Sequence, residues 1–177
     1  MSGQTELEIL SHSEADTEDI GQAIGLAGRA GDVVGLVGQL GAGKTRLVKG
    51  IAEGLAVAEK NEVKSPSFVI IREHAGRLRL FHVDAYRLNG PAELWALGLE
   101  EMLSQAGLIV VEWAERVADS LPVDRLTVKL AIIGPGSRRI RLSCGGPRAS
   151  ELLGRIQGYL AEKLAKISAD NSSLLEK

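Results

Sequence analysis

The feature that most constrains this chain is a glycine-punctuated stretch set between an apolar run and a periodic helix. Gly38-Gln39-Leu40-Gly41-Ala42-Gly43-Lys44-Thr45 follows the phosphate-loop pattern G-x-x-x-x-G-K-[ST]. Before it, Val33-Val34-Gly35-Leu36-Val37 reads as a strand buried on both faces. After it, Leu47, Val48, Ile51 and Leu55 recur on one face of a helix over Lys44–Leu55. Each residue type has a physical reason. Glycines let the backbone curl so that successive N–H groups point at phosphate oxygens, and the helix N-terminus adds the positive end of its dipole. Lys44 reaches the β- and γ-phosphates as a point charge. Thr45 offers a hydroxyl to Mg2+, a hard ion that takes oxygen ligands. With this composition the pattern arises by chance in about one chain in a hundred, and the flanking strand and helix are its confirming setting. A nucleotide-binding protein is expected, with Gly41, Ala42, Gly43, Lys44, Thr45 and Arg46 around the phosphates.

Composition narrows the class. Of 177 residues, 45% are hydrophobic and 25% charged, which suits a globular domain with a real core. The formal charge is −2, so no overall basic field is available to hold nucleic acid. A lone cysteine, Cys144, forms no intramolecular disulfide and no metal cluster. The longest apolar runs, such as Leu108–Val111, are far too short to span a bilayer. Met1–Leu10 carries Glu6 and Glu8 and lacks the basic and apolar regions of a signal peptide. These features exclude the secreted, disulfide-stapled, collagenous and membrane classes and lead to the expectation of a cytoplasmic protein. One domain is expected over residues 1–168, with a polar, disordered tail at 169–177.

Along the chain, Thr5–Ser11 alternates as an edge strand. Ser13 caps a helix running to Ala30, with Asp16 three residues on. Ala56–Lys64 reads as a surface loop, Phe68–Ile71 as a strand, and His74-Ala75-Gly76 as a turn into a strand over Leu78–Val83. Pro91 opens a helix to Gln105. Leu108–Val111 is another buried strand, and Leu126–Ile133 with Arg138–Cys144 forms a hairpin about Gly134-Pro135-Gly136-Ser137. Leu152, Leu153, Ile156, Leu160 and Leu164 mark a last helix. Together these predict a three-layer α/β, P-loop NTPase-like fold: a mostly parallel central sheet, antiparallel edge strands and a C-terminal helix.

A phosphate loop also needs an acidic residue at the C-terminal end of a neighbouring strand. Asp84 ends Leu78–Val83, and Glu112 ends Leu108–Val111. Spacing does not say which touches the ion and which holds a water or Thr45. Trp113 either joins the core or walls the site. His82 shares a strand face with Asp84, while His12 and His74 have no companions at metal-ligand spacing. Arg138-Arg139-Ile140-Arg141 reads as a solvated strand edge, with contact to phosphate or a partner as the lesser alternative.

Several blocks together resemble the TsaE (YjeE) family. They are the phosphate loop, Val63-Lys64-Ser65-Pro66-Ser67-Phe68, His82-Val83-Asp84-Ala85-Tyr86-Arg87-Leu88, Glu93 with Leu97-Gly98, and Val111-Glu112-Trp113. They follow in the family's order and spacing over about Ser11 to Leu142. The resemblance implies a bacterial P-loop ATPase using ATP and Mg2+ in the pathway that places threonylcarbamoyl on the adenosine beside the tRNA anticodon. It implies TsaB and TsaD as protein partners, ATP turnover that resets their complex, and contact with tRNA only through it. By position it implies phosphate and metal roles for Lys44 and Thr45, and a second metal ligand in Glu112. It also implies an essential acid in Asp84, a site tryptophan in Trp113 and a base contact near His12. Gln39 replaces the family's usual acidic residue, and Ser67 replaces a threonine while keeping a hydroxyl. Two rival functions are a small-molecule kinase, whose arginine lid could only be Arg72–Arg79, and a nucleotide sensor without hydrolysis.

Overall fold

The computed structural model describes residues 5–58 and 70–174. In chain order the strands are β1 (Glu6–Ser11), β2 (Val33–Val37), β3 (Ile71–His74), β4 (Arg79–Asp84), β5 (Gly107–Glu112), β6 (Leu126–Gly134) and β7 (Ser137–Cys144). The helices are α1 (Glu14–Ala27), α2 (Lys44–Gly54), α3 (Pro91–Ala96), α4 (Leu99–Ser104) and α5 (Pro147–Leu174), with a short 3-10 helix over Ala114–Val117. One seven-stranded sheet runs in the order β1-β7-β6-β2-β5-β4-β3. Its centre, β6-β2-β5-β4, is parallel, and the outer pairs are antiparallel.

Alternation along the strands builds a layer on each face. Val34 and Leu36 of β2, Leu108 and Val110 of β5, and Leu126, Val128 and Leu130 of β6 pack against α1, α2 and α5. Val33 of β2, Phe81 and Val83 of β4, and Ile109 and Val111 of β5 pack against α3, α4 and the 3-10 helix. The three-layer α/β class and the parallel centre are as the sequence leads one to expect. β2 lies between β5 and β6, so the chain leaves its C-terminal end where neighbouring connections diverge, the place where open α/β sheets bind ligands. The register sets Leu36 beside Glu112 and Asp84 beside Glu112, bringing the C-terminal ends of β2, β4 and β5 to one edge.

Three local expectations are corrected. The helix expected from Pro91 to Gln105 is two short helices, because Gly98 adopts a left-handed conformation with φ 94° and stops the first. The strand expected at Phe68–Ile71 is described only from Ile71, and it continues to His74 because antiparallel pairing with β4 sets Ile71 opposite Val83 and His74 opposite Leu80; Phe68 and Val69 lie outside the described residues. β7 is no edge strand, since β1 covers one side and β6 the other. The helical backbone of α5 runs to Leu174.

α1 and α2 pack backbone to backbone. A Cβ on Gly21 would lie 2.2 Å from Leu47 O, and one on Gly50 would lie 2.0 Å from Glu18 O. Gly25 and Gly54 make the same approach one turn on, at 2.2 Å from Ile51 O and 2.3 Å from Gln22 O. No other residue type fits there. The close approach brings the start of α1 alongside the start of α2.

Candidate nucleotide site

The loop from β2 to α2 has the backbone its glycines allow. Gly41 and Gly43 have φ 77° and 104°, in the left-handed region that side chains disfavour. A Cβ on Gly38 would lie 2.6 Å from Leu130 O. Buried Ala42 anchors the loop, its N–H donating to Gln39 O at 3.1 Å. Gly43 caps α2 without a side-chain bond, so no side chain competes for the first amides of the helix.

Lys44 is buried, at 5% exposure. Its ammonium donates to Gly38 O (2.5 Å) and Gln39 O (3.1 Å) and lies 3.7 Å from the centre of the Trp113 ring. Burial pulls its pKa below the ordinary lysine value, against the opposing pull of Glu112, Glu115 and Asp84. Trp113 has φ 58°, a strained conformation for a bulky residue, and its ring meets that of Tyr86 at a tilt of 47° with centroids 4.9 Å apart. Trp113 thus walls the site rather than joining the core interior. Such strain is found where a side chain must be aimed, and here it is aimed at Lys44.

Thr45 Oγ1 lies 3.1 and 3.0 Å from the two carboxylate oxygens of Glu112. Glu112 Oε1 is also 2.8 Å from His82 Nε2. Of the two acids left open by spacing, Glu112 is therefore the one that holds Thr45. Asp84 is buried one strand over, accepts the Tyr86 N–H at 2.9 Å, and does not line the cleft, although its charge reaches Lys44.

A cleft of about 550 Å3 opens over this arrangement, lined among others by Gly41, Gly43, Thr45, Glu112, Trp113 and Arg138. Ser13, which caps α1, and Glu14 and Thr17 of that helix also line it. His12, next to Ser13 in the chain, is exposed, and its N–H donates to Asp16 Oδ2 at 2.7 Å. That bond, and a further hydrogen bond from the Ser13 side chain, hold the Asp16 carboxyl below its ordinary pKa. Arg46 lines the cleft but is tied to Glu14 (2.6 Å) and Glu18 (2.9 Å). Ser67 lies outside the described residues.

Two residues enter the site that sequence reading gave no role or a lesser one. His82 was legible only as a neighbour of Asp84 at strand spacing. Arg138 is no solvated edge residue: its Nε donates to Ala42 O at 3.0 Å and its Nη2 to Gly41 O at 3.3 Å. Arg139 and Arg141 match the solvated reading, pairing with Glu6 and Glu8 of β1. Nothing local marks Arg138, because its contact spans 96 residues of chain.

The donor set fits a divalent cation. Thr45 and Glu112 converge at hydrogen-bond distance and offer hydroxyl and carboxylate oxygen, the chemistry that hard ions require. Among the described residues no group of three His, Cys, Asp or Glu side chains could cage a metal alone, so the ion would share its coordination with phosphate and water.

The family model described as "Threonylcarbamoyl adenosine biosynthesis protein TsaE" matches residues 11–140. The TsaE protein of Treponema pallidum is 39% identical over 137 residues, covering 77% of this chain and 100% of that one. That of Bacillus subtilis is 39% identical over 134 residues, covering 75% and 82%. That of Streptomyces coelicolor is 45% identical over 116 residues, covering 63% and 76%. Among solved structures, Bacillus subtilis YdiB superposes with a TM-score of 0.73 at 32% identity, covering 87% of this chain and 95% of that one. The matched span includes every site residue named above, and it ends before α5.

Proposed function

The chain belongs to the TsaE family of threonylcarbamoyladenosine biosynthesis proteins, and from that premise we propose that it is a Mg2+-dependent ATPase serving this tRNA modification. The observation that carries the reading is the joining of a glycine loop, a buried Lys44 and a Thr45–Glu112 pair at the mouth of one cleft. ATP would lie with its phosphates over the loop amides and the start of α2. Phosphate oxygens would then replace the carbonyls of Gly38 and Gln39 as partners of Lys44. Thr45 and Glu112 would hold Mg2+, which when bound neutralises phosphate charge and orients the leaving group.

The two carboxylates divide the work. Glu112 is committed to Thr45 and the ion. Asp84, buried one strand over and outside the cleft, acts on the site through its charge at Lys44 as water hydrolyses ATP to ADP and phosphate. Arg138 ties β7 to the loop through the Gly41 and Ala42 carbonyls and brings a positive charge to the cleft where the phosphates would lie. Trp113 covers Lys44 and excludes water from it.

The partners in this reading are TsaB and TsaD, with ATP turnover resetting their complex and tRNA met only through it. The net charge of −2 agrees, since tRNA binding by one protein alone calls for a basic surface. No helix of the described residues is long and apolar enough to cross a membrane, in keeping with a proposed cytoplasmic location. Against the metabolite-kinase alternative, two of the three arginines of its Arg72–Arg79 lid are already committed: Arg77 donates to the carbonyls of Gly25, Leu26 and Gly28, and Arg79 to Glu73 and Gln105.

The test is a thermal melt with Mg-ATP, paired with phosphate release, on wild type and Lys44→Ala. Stabilisation and slow hydrolysis in wild type, both lost in the variant, support the reading. An equal Mg-ATP shift in the two proteins removes it.

A further inference from the structure

Among the described buried polar side chains, most have an evident role. Ser11 and Thr17 bond each other, Asp32 holds Arg148 and Arg155, and Ser120 bonds Pro91 O. Lys44, Asp84 and Glu112 belong to the site. His82 is left: it is fully buried on β4, outside the cleft, with Nε2 at 2.8 Å from Glu112 Oε1.

We propose that His82 is a positioning residue for the metal-and-phosphate site, fixing the Glu112 carboxylate in the orientation from which it holds Thr45. The inference rests on the nucleotide reading above. A carboxylate accepts, so the bond requires the hydrogen on Nε2. Thr45 has a single hydroxyl hydrogen, yet both Glu112 oxygens lie 3.0–3.1 Å from its Oγ1. One hydrogen cannot satisfy both oxygens of a carboxylate that is 3% exposed. His82 supplies the second donor, and it does so from a rigid support. β4 and β5 are parallel neighbours in the centre of the sheet, with His82 opposite Val110 and Asp84 opposite Glu112. With its hydrogen directed at Glu112, Thr45 keeps its lone pairs for the ion.

Core filling does not account for the residue. The other ring nitrogen, Nδ1, has no hydrogen-bond partner among the described residues. An apolar side chain would fill the same space without burying that atom. What the imidazole gains by being there is the bond to Glu112.

The test measures ADP affinity by calorimetry on the full chain, in Mg2+ and in EDTA. The proteins are wild type, His82→Met, His82→Asn, His82→Gln and Lys44→Ala. Wild type is expected to gain affinity from Mg2+. His82→Met and His82→Asn should lose about tenfold of that gain, the scale seen when a metal ligand loses its supporting hydrogen bond. Their affinity in EDTA should stay within about twofold of wild type, since the loop is untouched. His82→Gln, whose amide reaches as far as Nε2, should restore most of the gain; asparagine carries the same amide but is too short. Should the methionine variant fail to fold, the Asn and Gln pair carries the comparison. Wild-type gain in the Asn variant, or a Gln variant as impaired as Asn, overturns the proposal. Normal ADP binding by Lys44→Ala overturns the nucleotide reading and this inference with it, whereas a defective Lys44→Ala beside an unaffected His82→Asn overturns this inference alone.

Discussion

Lys44 is a buried cation whose partners are two carbonyl oxygens and an indole face. Burial lowers its pKa in the folded chain below the ordinary lysine value. Between the folded and unfolded values the unfolded chain binds more protons, so stability rises with pH across that window and the penalty is gone above it. Wild type should therefore gain stability relative to Lys44→Met as pH climbs toward the ordinary lysine pKa, in urea titrations of both proteins. A difference that stays flat or falls would mean the ammonium is not penalised by its surroundings. The acids give a second prediction. Asp84→Ala and Glu112→Ala should each lower ATP hydrolysis at least about 100-fold, the scale of losing a positioned or charge-stabilising group. Only Glu112→Ala should also weaken the Mg2+ contribution to nucleotide binding. Survival of hydrolysis in both variants would take them out of the site. The sequence displays Lys44 and Thr45 because a contiguous pattern encodes them, and it displays Asp84 and Glu112 because each ends an apolar strand. The division between the two acids was hidden. It depends on which side chain of a neighbouring strand meets the first turn of α2, a matter of sheet order and register. His82 and Arg138 were hidden for the same reason.

The pairing of α1 with α2 shows how elements place the site. Gly21 and Gly25 face Gly50 and Gly54 closely enough that a methyl group at any of them meets backbone. Gly50→Ala should destabilise the fold by about 3 kcal/mol, as overpacking between fixed backbones does, despite the better intrinsic helix propensity of alanine. Gly154 on α5 has open space where a Cβ would go, so Gly154→Ala should stabilise by up to about 1 kcal/mol. Chemical denaturation of the two variants checks both signs, and an unaffected Gly50→Ala would mean that the helices separate at little cost. Elements with a strong local signal were legible: the Ser13 cap, the apolar run of β2, and the β6–β7 hairpin about Gly136. The break at Gly98 was not, because apolar spacing runs on through Leu97 and Leu99 while the backbone turns. Glycine excess was visible in the composition, but its use was not, since two helices must meet before Gly21 and Gly50 have a common purpose. Arg138 belongs to this scale too. It joins β7 to the phosphate loop, and Arg138→Ala should weaken Mg-ADP binding about tenfold, near the 1.4 kcal/mol of one to two hydrogen bonds. Unchanged affinity in calorimetry would reduce it to a surface contact.

For the whole molecule, the described residues form one sheet with helices on both faces, and the cleft at the C-terminal edge gathers residues from α1, α2, β5 and β7. In the proposed reading this cleft takes the nucleotide, and the tRNA chemistry is left to partners. With a net charge of −2, the isolated protein should bind tRNA weakly at physiological salt, and a filter-binding or anisotropy titration would show it. Tight binding by the protein alone would contradict a role confined to driving a partner complex. The most direct test of that role is a multiple-turnover tRNA-modification assay with purified TsaB and TsaD. It compares wild type, Lys44→Ala and no third protein. The account predicts repeated modification cycles with wild type only, and arrest after about one cycle with Lys44→Ala or with nothing added; equal cycling in all three would contradict it.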